Sequence, residues 1–580
     1  MKTVATTCET TAARLLLEYL KQEQVSYIFG IPGAPLMPLY EAIFETGWIK
    51  PVLAKHEQGA AFMADGYARV SGKLGVCCAT TGPGATNLIT GVACAHADSI
   101  PLLVLTAQVA TSSFGKGAVQ ESTCHGVDVV GMFKPITKSS LMLHSAEKMG
   151  DILRTCLRIA LSGRKGPVHL NIPADFLKKS VKRHLIPPER YRVTAGQFDR
   201  NAIKEASKLL VHAKRPAILA GNGVNLCGAQ PELRRLAELL HVPVATSPKA
   251  KGAFPENHLL SLGVFGFGAS AQAEKYLLSG DVDVLLVIGS SLGEPATCGW
   301  DARLEPSGAL VQIDIDPHEI GKNYPAPHGI LGDAKVVLHE LNYQIERDRN
   351  WLEPADGLSA LEGIRLFKKA VPRFEKPAAM DSEELPLKPQ RVMKELRELL
   401  PANALLFVDI GTVMFWALHY FPVYKPGTFY VNMGLGSMGH AVAACIGGKL
   451  ARPDKPVVAL VGDAAFAMNG MEVHTAAEAG APVIWIVLNN GGHGMVYHGE
   501  RLQFGGKFTT GIFSHRLNAA EIGRSLGAES FDASTPEEFN ACLRTALKSE
   551  RACVINVNVD REELPPMGHR LRALDKIFAT

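Results

Sequence analysis

Val457-Val458-Ala459-Leu460-Val461-Gly462-Asp463-Ala464-Ala465-Phe466 is the stretch whose reading decides the fold. Its apolar, largely β-branched run predicts a buried strand. Gly462 and Asp463 interrupt the run, and a helical pattern is expected from about Gly470. The next apolar run, 483–488, ends in Asn489-Asn490-Gly491-Gly492. Two such strands side by side would deliver an aspartate and an asparagine to the carboxyl edge of one sheet, where open α/β sheets bind ligands. A carboxylate and an amide oxygen, completed by a backbone carbonyl and by diphosphate oxygens, suit octahedral Mg²⁺. Glycines let the backbone approach phosphates closely. For Gly462-Asp463 alone, an ordinary strand–turn–helix with polar caps is the plain alternative.

The same alternation runs through the chain, so the expected class is α/β, with three doubly wound parallel-sheet domains. Strands are expected at 27–29, 75–80 and 101–106, with Gly166-Pro167-Val168-His169-Leu170-Asn171-Ile172-Pro173 closing a first domain, 1–183. A polar, proline-containing stretch at 178–196 reads as a connection. A second domain, 196–345, opens with Pro216-Ala217-Ile218-Leu219-Ala220-Gly221-Asn222-Gly223 and continues with strands at 242–246, 282–288 and 310–315. Residues 346–386, rich in charge and proline, read as a linker with some helix. The third domain, 387–564, has strands at 405–409, 456–461, 483–488 and 553–557, and resembles the first in size and pattern. Residues 565–580 carry several basic groups and read as a tail or lid.

Composition sets the outer limits. At 580 residues, 47% hydrophobic and 20% charged, the chain can bury several cores, which excludes a disordered protein, a collagen-like fibre and a disulfide-stapled miniprotein. Lys+Arg number 60 against 57 Asp+Glu, a net charge of +3, which leaves no electrostatic footprint for nucleic acid. The 11 cysteines are scattered with no C-x-x-C pair, so neither a zinc site nor a disulfide framework is expected. Thr10-Thr11 should cap a helix carrying Ala13, Leu16, Leu17 and Leu20 at helical spacing. Glu9, Glu18 and Glu23 in that stretch argue against a signal peptide, and no run of 18 apolar residues occurs. A cytoplasmic location without membrane partners is the expectation.

The first domain carries a second constellation. After Pro51-Val52-Leu53-Ala54 comes Lys55-His56-Glu57-Gln58-Gly59-Ala60-Ala61-Phe62-Met63-Ala64-Asp65-Gly66-Tyr67-Ala68-Arg69, which places Glu57 where a strand gives way to a small-residue helix. Thr81-Gly82-Pro83-Gly84-Ala85-Thr86-Asn87 follows another strand. In the third domain stand Asp409-Ile410-Gly411 and Asn432-Met433-Gly434-Leu435-Gly436-Ser437-Met438-Gly439.

Together these segments resemble the thiamine diphosphate enzymes, whose diphosphate-binding motif is Gly-Asp-Gly or Gly-Asp-Ala followed at a distance by Asn-Asn. The resemblance assigns Asp463, the Asn490 side chain and the Gly492 carbonyl to Mg²⁺. It places Gly462, Ala464, Ala465 and Met495 against the cofactor. It pairs Glu57 with N1′ of the aminopyrimidine, favouring the imino tautomer whose N4′ takes the proton from thiazolium C2; the protein supplies orientation and electrostatics. Gly82, Gly84 and Asn87 match the Gly-Pro-Gly turn near the active site. Gly436 and Met438 match the segment whose methionine packs between the two cofactor rings. In the family Glu57 and Asp463 would come from different subunits, so a homodimer or homotetramer with active sites at the interface is implied.

The resemblance runs from about residue 10 to 557 and is closest to the acetohydroxyacid (acetolactate) synthase branch. Ile28-Phe29-Gly30-Ile31-Pro32-Gly33, Gln120-Glu121, Gly252-Ala253-Phe254-Pro255, Ile313-Asp314-Ile315-Asp316-Pro317 and Gly321-Lys322-Asn323 carry it. That branch decarboxylates a 2-oxoacid and adds the acyl carbanion equivalent to a second carbonyl compound. Gln120 matches an active-site glutamine and Lys138 a basic residue of the branch. His493, between Gly492 and Gly494, is a candidate for moving a proton on the substrate. A solvated loop position is expected for His498.

This chain departs from the branch at several points. Val119 stands where the branch has Phe, and a pocket-narrowing Trp would align near Gly499. Smaller residues at both positions imply an enlarged pocket for bulky 2-oxoacids. Gly289-Ser290-Ser291-Leu292-Gly293-Glu294-Pro295 replaces an FAD-binding stretch and lacks its arginine, which leaves FAD open. The alternatives are a simple 2-oxoacid decarboxylase and a non-catalytic, thiamine diphosphate-like subunit. Gly221-Asn222-Gly223 after a strand is a weak dinucleotide signal, because the spacing fails beyond it.

Overall fold

The computed structural model describes residues 9–193, 196, 198–349, 357–568 and 570. Most of the expected tail and part of the expected linker lie outside them.

Each of three domains is built on a six-stranded sheet, parallel throughout. In the first domain the strands lie in the spatial order Lys50–Leu53, Tyr27–Gly30, Gly75–Ala79, Leu102–Gln108, Val168–Pro173, Ser139–Met142. Counted along the chain this is 2-1-3-4-6-5. The third domain repeats that order with Phe429–Val431, Leu405–Val408, Val457–Gly462, Val483–Asn489, Cys553–Asn558 and Glu529–Ala533, so the expected likeness of the two outer domains extends to topology. The central sheet runs Ser261–Val264, Val244–Thr246, Ala217–Ala220, Val284–Ile288, Ala309–Asp314, His328–Leu331, an order of 3-2-1-4-5-6. Leu102–Gln108 and Val483–Asn489 are buried along their whole length, as expected of strands covered by helices on both faces.

Within the three six-stranded sheets, five short strands were not expected: Ser139–Met142, Ser261–Val264, His328–Leu331, Phe429–Val431 and Glu529–Ala533. All five lie at sheet edges, and most are too short or too polar to carry an apolar run. Val168–Pro173 closes its domain in sequence but sits one strand in from the edge. The connection at 178–196 includes a strand, Ser180–Lys182, which pairs antiparallel with Glu9–Thr11. Thr11 caps helix Ala12–Gln22 by accepting from Arg14 N at 3.2 Å. The helix after Gly462 starts at Asp463, seven residues earlier than its pattern suggests, as two short pieces, Asp463–Asn469 and Glu472–Glu478.

The outer domains meet through helices Glu57–Ser71 and His440–Ala451. The approach requires glycine: a Cβ on Gly66 would lie 1.9 Å from Ala444 O, and one on Gly447 1.9 Å from Met63 O. The central domain is tied to the third by a buried ion pair. Lys251 Nζ sits 2.7 Å from Glu256 Oε1 and donates to Leu418 O at 3.0 Å, and Glu256 Oε2 accepts from Val423 N at 2.9 Å.

Candidate active site

Val457–Gly462 and Val483–Asn489 are hydrogen-bonded neighbours, so the residues after each strand meet at one sheet edge. Asp463 opens its helix and is 1% exposed. Its Oδ2 accepts from Gly491 N at 2.8 Å and Gly492 N at 2.9 Å, and its Oδ1 from Ala464 N at 3.0 Å. Burial pushes this carboxyl up from its ordinary range, against the pull of those amides. The turn is sterically committed: a Cβ on Gly492 would lie 2.1 Å from Gly511 O, and one on Gly494 2.4 Å from Asn490 Nδ2.

Asn490 Oδ1 is buried with no hydrogen-bond partner among the described residues. A buried polar atom left unpaired is costly, and an amide oxygen on a residue that lines the same cleft as a buried carboxylate is what a hard divalent cation would satisfy. Among the described residues no cluster of three or more His, Cys, Asp or Glu gathers to hold a metal. An ion here would depend on one carboxylate, one amide, a backbone carbonyl and oxygens of a bound ligand.

A cleft of about 700 Å³ opens on this edge. Gly462, Asp463, Ala464, Ala465, Asn490, Gly492, His493 and Met495 line it, with Met438 on one wall. His493 is the residue before helix Gly494–Phe504, its side chain making no capping hydrogen bond and its ring edge-on to Phe513. His498 departs from expectation. It lies within that helix, 4% exposed, on the wall of the cleft, and burial pushes its imidazole down. Sequence reasoning missed it because the loop signal of the glycines ends one turn earlier than expected.

The first domain gathers the other candidates elsewhere. Glu57 is the first residue of its helix and 8% exposed. Its Oε2 accepts from Asn87 Nδ2 at 3.0 Å, and a Cβ on Gly84 would lie 3.3 Å from its Oε1. Gly82, at φ +63°, backs onto Gln120 Cβ and donates to Ser122 Oγ at 2.9 Å. Gln120 is exposed, itself at φ +61°, and Val119 beside it is 87% exposed. Lys138 is not part of this group. Its ammonium donates to Ser162 O at 3.0 Å and Arg164 O at 2.7 Å, which closes the end of a helix instead of facing the candidate site.

None of these first-domain residues lines the cleft beside Asp463. Among the described residues, those lining the cleft beside Asp463 all come from position 389 onward. Glu472 was not anticipated. It is 1% exposed and reaches from the third domain to accept from Lys55 N at 3.1 Å and His56 N at 3.0 Å, bracing the turn before Glu57. A lone glutamate among small helical residues gave no signal.

The central domain has a larger pocket, about 1680 Å³. It lies where strand order reverses between Ala217–Ala220 and Val284–Ile288, the place open α/β sheets bind nucleotides. Asn222, Gly223, Gly289, Asp314, Arg164 and Lys249 are among its lining residues.

Comparison with known proteins agrees with this geometry. Residues 10–130 match the description "Thiamine pyrophosphate enzyme, N-terminal TPP binding domain". Residues 203–341 match the central domain of the same enzymes, and 409–557 their C-terminal TPP binding domain. A probable acetolactate synthase large subunit of Methanococcus aeolicus is 38% identical, over 97% of this chain and 95% of its own. The corresponding protein of Methanocaldococcus jannaschii is 36% identical, over 96% and 93%. Acetolactate synthase isozyme 3 large subunit of Escherichia coli is 32% identical, over 98% of both chains.

Proposed function

The chain belongs to the thiamine pyrophosphate enzyme family, and on that premise we propose that it is an acetolactate synthase-like carboligase, joining a decarboxylated 2-oxoacid to a second carbonyl compound. The observation that carries the reading is the unpaired Asn490 Oδ1 beside Asp463 at the carboxyl edge of the third sheet. Asp463, Asn490 and the Gly492 carbonyl would hold Mg²⁺, and Gly462, Ala464 and Ala465 would border the diphosphate. When bound, thiamine diphosphate supplies the carbanion-stabilising carbon on which such a reaction depends.

The remaining work falls to this chain's own groups. Glu57, held by Asn87, keeps a carboxylate where it can hold a proton at N1′ of the aminopyrimidine. Met438 walls the cleft and would pack against the cofactor there. Burial holds the His498 imidazole neutral, as a base beside the same wall, while His493 is placed to move a proton on the substrate. Gln120, exposed on the first domain, contributes an amide to the substrate side.

Glu57 does not line the cleft beside Asp463 in the single chain, which supports a complete site built between two chains, in a homodimer or a pair of dimers. The same reading includes a wide substrate pocket. What supports acceptance of 2-oxoacids larger than pyruvate is the small residue at each position: Val119 is 87% exposed in the single chain, and a Cβ at Gly499 would meet nothing nearer than Gln503 Oε1 at 4.0 Å. FAD stays an open reading for the central pocket: Asp314 stands at a strand end where it could take ribose hydroxyls, while the Arg164 and Lys249 charges that line the pocket are already paired, with Asp316 and Glu319 and with Asp98. Among the described residues no helix is long and apolar enough to cross a membrane.

The test is a panel of 2-oxoacids, singly and in pairs, with purified protein, thiamine diphosphate and Mg²⁺, read by mass spectrometry. Acyloin or 2-hydroxy-3-oxoacid products are expected. Aldehyde as the sole product would replace the carboligase with a simple decarboxylase, and acetolactate alone would remove the wide pocket. Flavin absorbance of the purified protein tests the central pocket.

A further inference from the structure

Residues 433–440 form a strap between the two pockets. Met433 and Gly434 line the central one, and Met438 lines the cleft beside Asp463. The middle of the strap is loosely held, with Leu435 50% exposed. Its ends are tied to carboxylates. Gly434 N donates to Asp98 Oδ1 at 3.0 Å, and Gly439 N to Asp409 Oδ1 at 2.9 Å. The His440 imidazole Nε2 lies 2.7 Å from Asp65 Oδ1.

Both strap ends lead back to one helix. Asp65 pairs with Arg69 one turn along Glu57–Ser71, and Arg69 Nη2 reaches Asp98 Oδ2 at 2.8 Å. Asp98 also holds Lys249 at 3.1 Å. Gly434, Asp98, Arg69, Asp65 and His440 thus close a ring, with the strap as its remaining side. Asp65 and Asp98 are fully buried or nearly so. Burial works to raise the Asp65 carboxyl, but Arg69 and His440 outweigh it and leave it at about 2.

This ring sits in an otherwise apolar seam. His440 is followed by Ala441, Val442, Ala443 and Ala444, all buried, and its ring meets Phe62 edge-on at 5.0 Å. A buried ion-pair network adds little net stability over apolar residues of the same size, and the best-attested reason to keep one is a unique geometry. The geometry defined here is the span and direction of the strap.

We propose that His440 and Asp98 are positioning residues for Met438: the ring they close with Asp65 and Arg69 fixes the strap so that the methionine projects into the cofactor cleft. The proposal rests on the reading that thiamine diphosphate occupies that cleft. It does not place either residue in contact with substrate or cofactor.

The experiment uses the full chain loaded with thiamine diphosphate and Mg²⁺. Hydrogen–deuterium exchange at thiazolium C2 is followed by acid quench and proton NMR, beside a binding titration and the melting temperature of the apoprotein. A displacement on the order of 1 Å in a supporting group costs about 10²-fold in rate. His440→Phe, which keeps a ring but loses the donor, should therefore slow C2 exchange at saturating cofactor by about 10–100-fold. It should also lower kcat in parallel while leaving KM for the 2-oxoacid nearly unchanged. His440→Gln, which keeps a donor for Asp65, should recover most of the rate. A purely structural role would lower the melting temperature without slowing exchange in the saturated enzyme. Wild-type exchange in His440→Phe overturns the proposal. Should that variant fail to fold, Asp98→Asn decides: it keeps an oxygen for Gly434 N but loses the charge facing Arg69, and the same slowing is expected, with a wild-type rate overturning the proposal. Failure of the unmodified protein to bind thiamine diphosphate would overturn the cofactor reading itself.

Discussion

Asn87 Nδ2 lies 3.0 Å from Glu57 Oε2, an amide holding a buried carboxylate at the head of a helix. The pair sits beside the Gly82-Pro83-Gly84 turn, so the carboxylate has a fixed direction before any ligand arrives.

Glu57→Gln preserves that shape and removes the proton-accepting charge. General acid–base steps are worth about 10²–10⁴-fold, so turnover should fall by that order while cofactor affinity stays near wild type. Asn87→Ala removes one hydrogen bond to a charged group, about 1.5–3 kcal/mol, and should cost roughly 10–100-fold. Steady-state kinetics paired with a binding titration checks both. Unchanged turnover in Glu57→Gln would take Glu57 out of the mechanism.

Asp463→Asn and Asn490→Ala should act on cofactor retention. Even outer partners of a metal site are worth about 10–100-fold in affinity, so loss of the Asp463 charge should raise the Mg²⁺ needed for half-saturation by about 10²-fold or more. Asn490→Ala deletes the unpaired Oδ1 and should shift it in the same direction by less. Titration of Mg²⁺ at fixed thiamine diphosphate measures both, and coincident curves for wild type and Asp463→Asn would refute the metal assignment.

Acid should destabilise the protein partly through His169. This imidazole is fully buried between Thr106 Oγ1 at 2.7 Å and Ser140 Oγ at 2.8 Å, and burial pushes it down to about 3. The folded pKa lies below the unfolded value near 6.5, so the unfolded chain binds a proton that the folded chain refuses. The stability this neutral histidine contributes is present above pH 6.5 and is lost as pH falls from there toward about 3. The slope is about 1.4 kcal/mol per pH unit within that window. His419, pushed down to about 4 by burial, adds a second loss over a narrower range. Denaturant midpoints for wild type and His169→Gln at pH 7.0 and pH 5.0 should converge on acidification (about the two sides of an ordinary histidine pKa); parallel loss in both would rule His169 out as a source.

Gly66→Ala tests the seam between the outer domains. In an isolated helix alanine would be favoured over glycine by about 1 kcal/mol. Here its Cβ would sit 1.9 Å from Ala444 O, and overpacking of this kind costs about 1–3 kcal/mol, occasionally more. The melting temperature should fall, and a rise would show that the helices have room to separate.

Much of the architecture was legible because its signals are local. The run Val457–Gly462 followed by Asp463, the second run ending at Asn490, and Glu57 at a helix head each declare themselves within a few residues, and parallel strands covered on both faces must be continuously apolar. The three-domain α/β class and the meeting of Asp463 with Asn490 at one sheet edge follow from those runs. The edge strands Ser139–Met142 and Glu529–Ala533 do not announce themselves, because an edge strand carries polar residues and needs little length. Lys138 looked like a candidate for the site and instead closes a helix end, since nothing in a lone lysine states which carbonyls it will meet. Burial of His498 depended on where a helix began.

What only the tertiary structure decided is which distant groups share one site. His440 and Asp65 are 375 positions apart, as are in kind Glu472 and Lys55, 417 apart. Such pairs exist because two helices pack through Gly66 and Gly447, and spacing along the chain carries no record of that packing. The sequence by itself determined which chemical groups would stand at strand ends and helix heads, since those positions are set by local backbone preference and apolar runs. Their distances, their burial and the absence of Glu57 from the lining of the cleft beside Asp463 were set by how the domains close on one another, because long-range contact depends on the shape of whole surfaces rather than on any short stretch of residues.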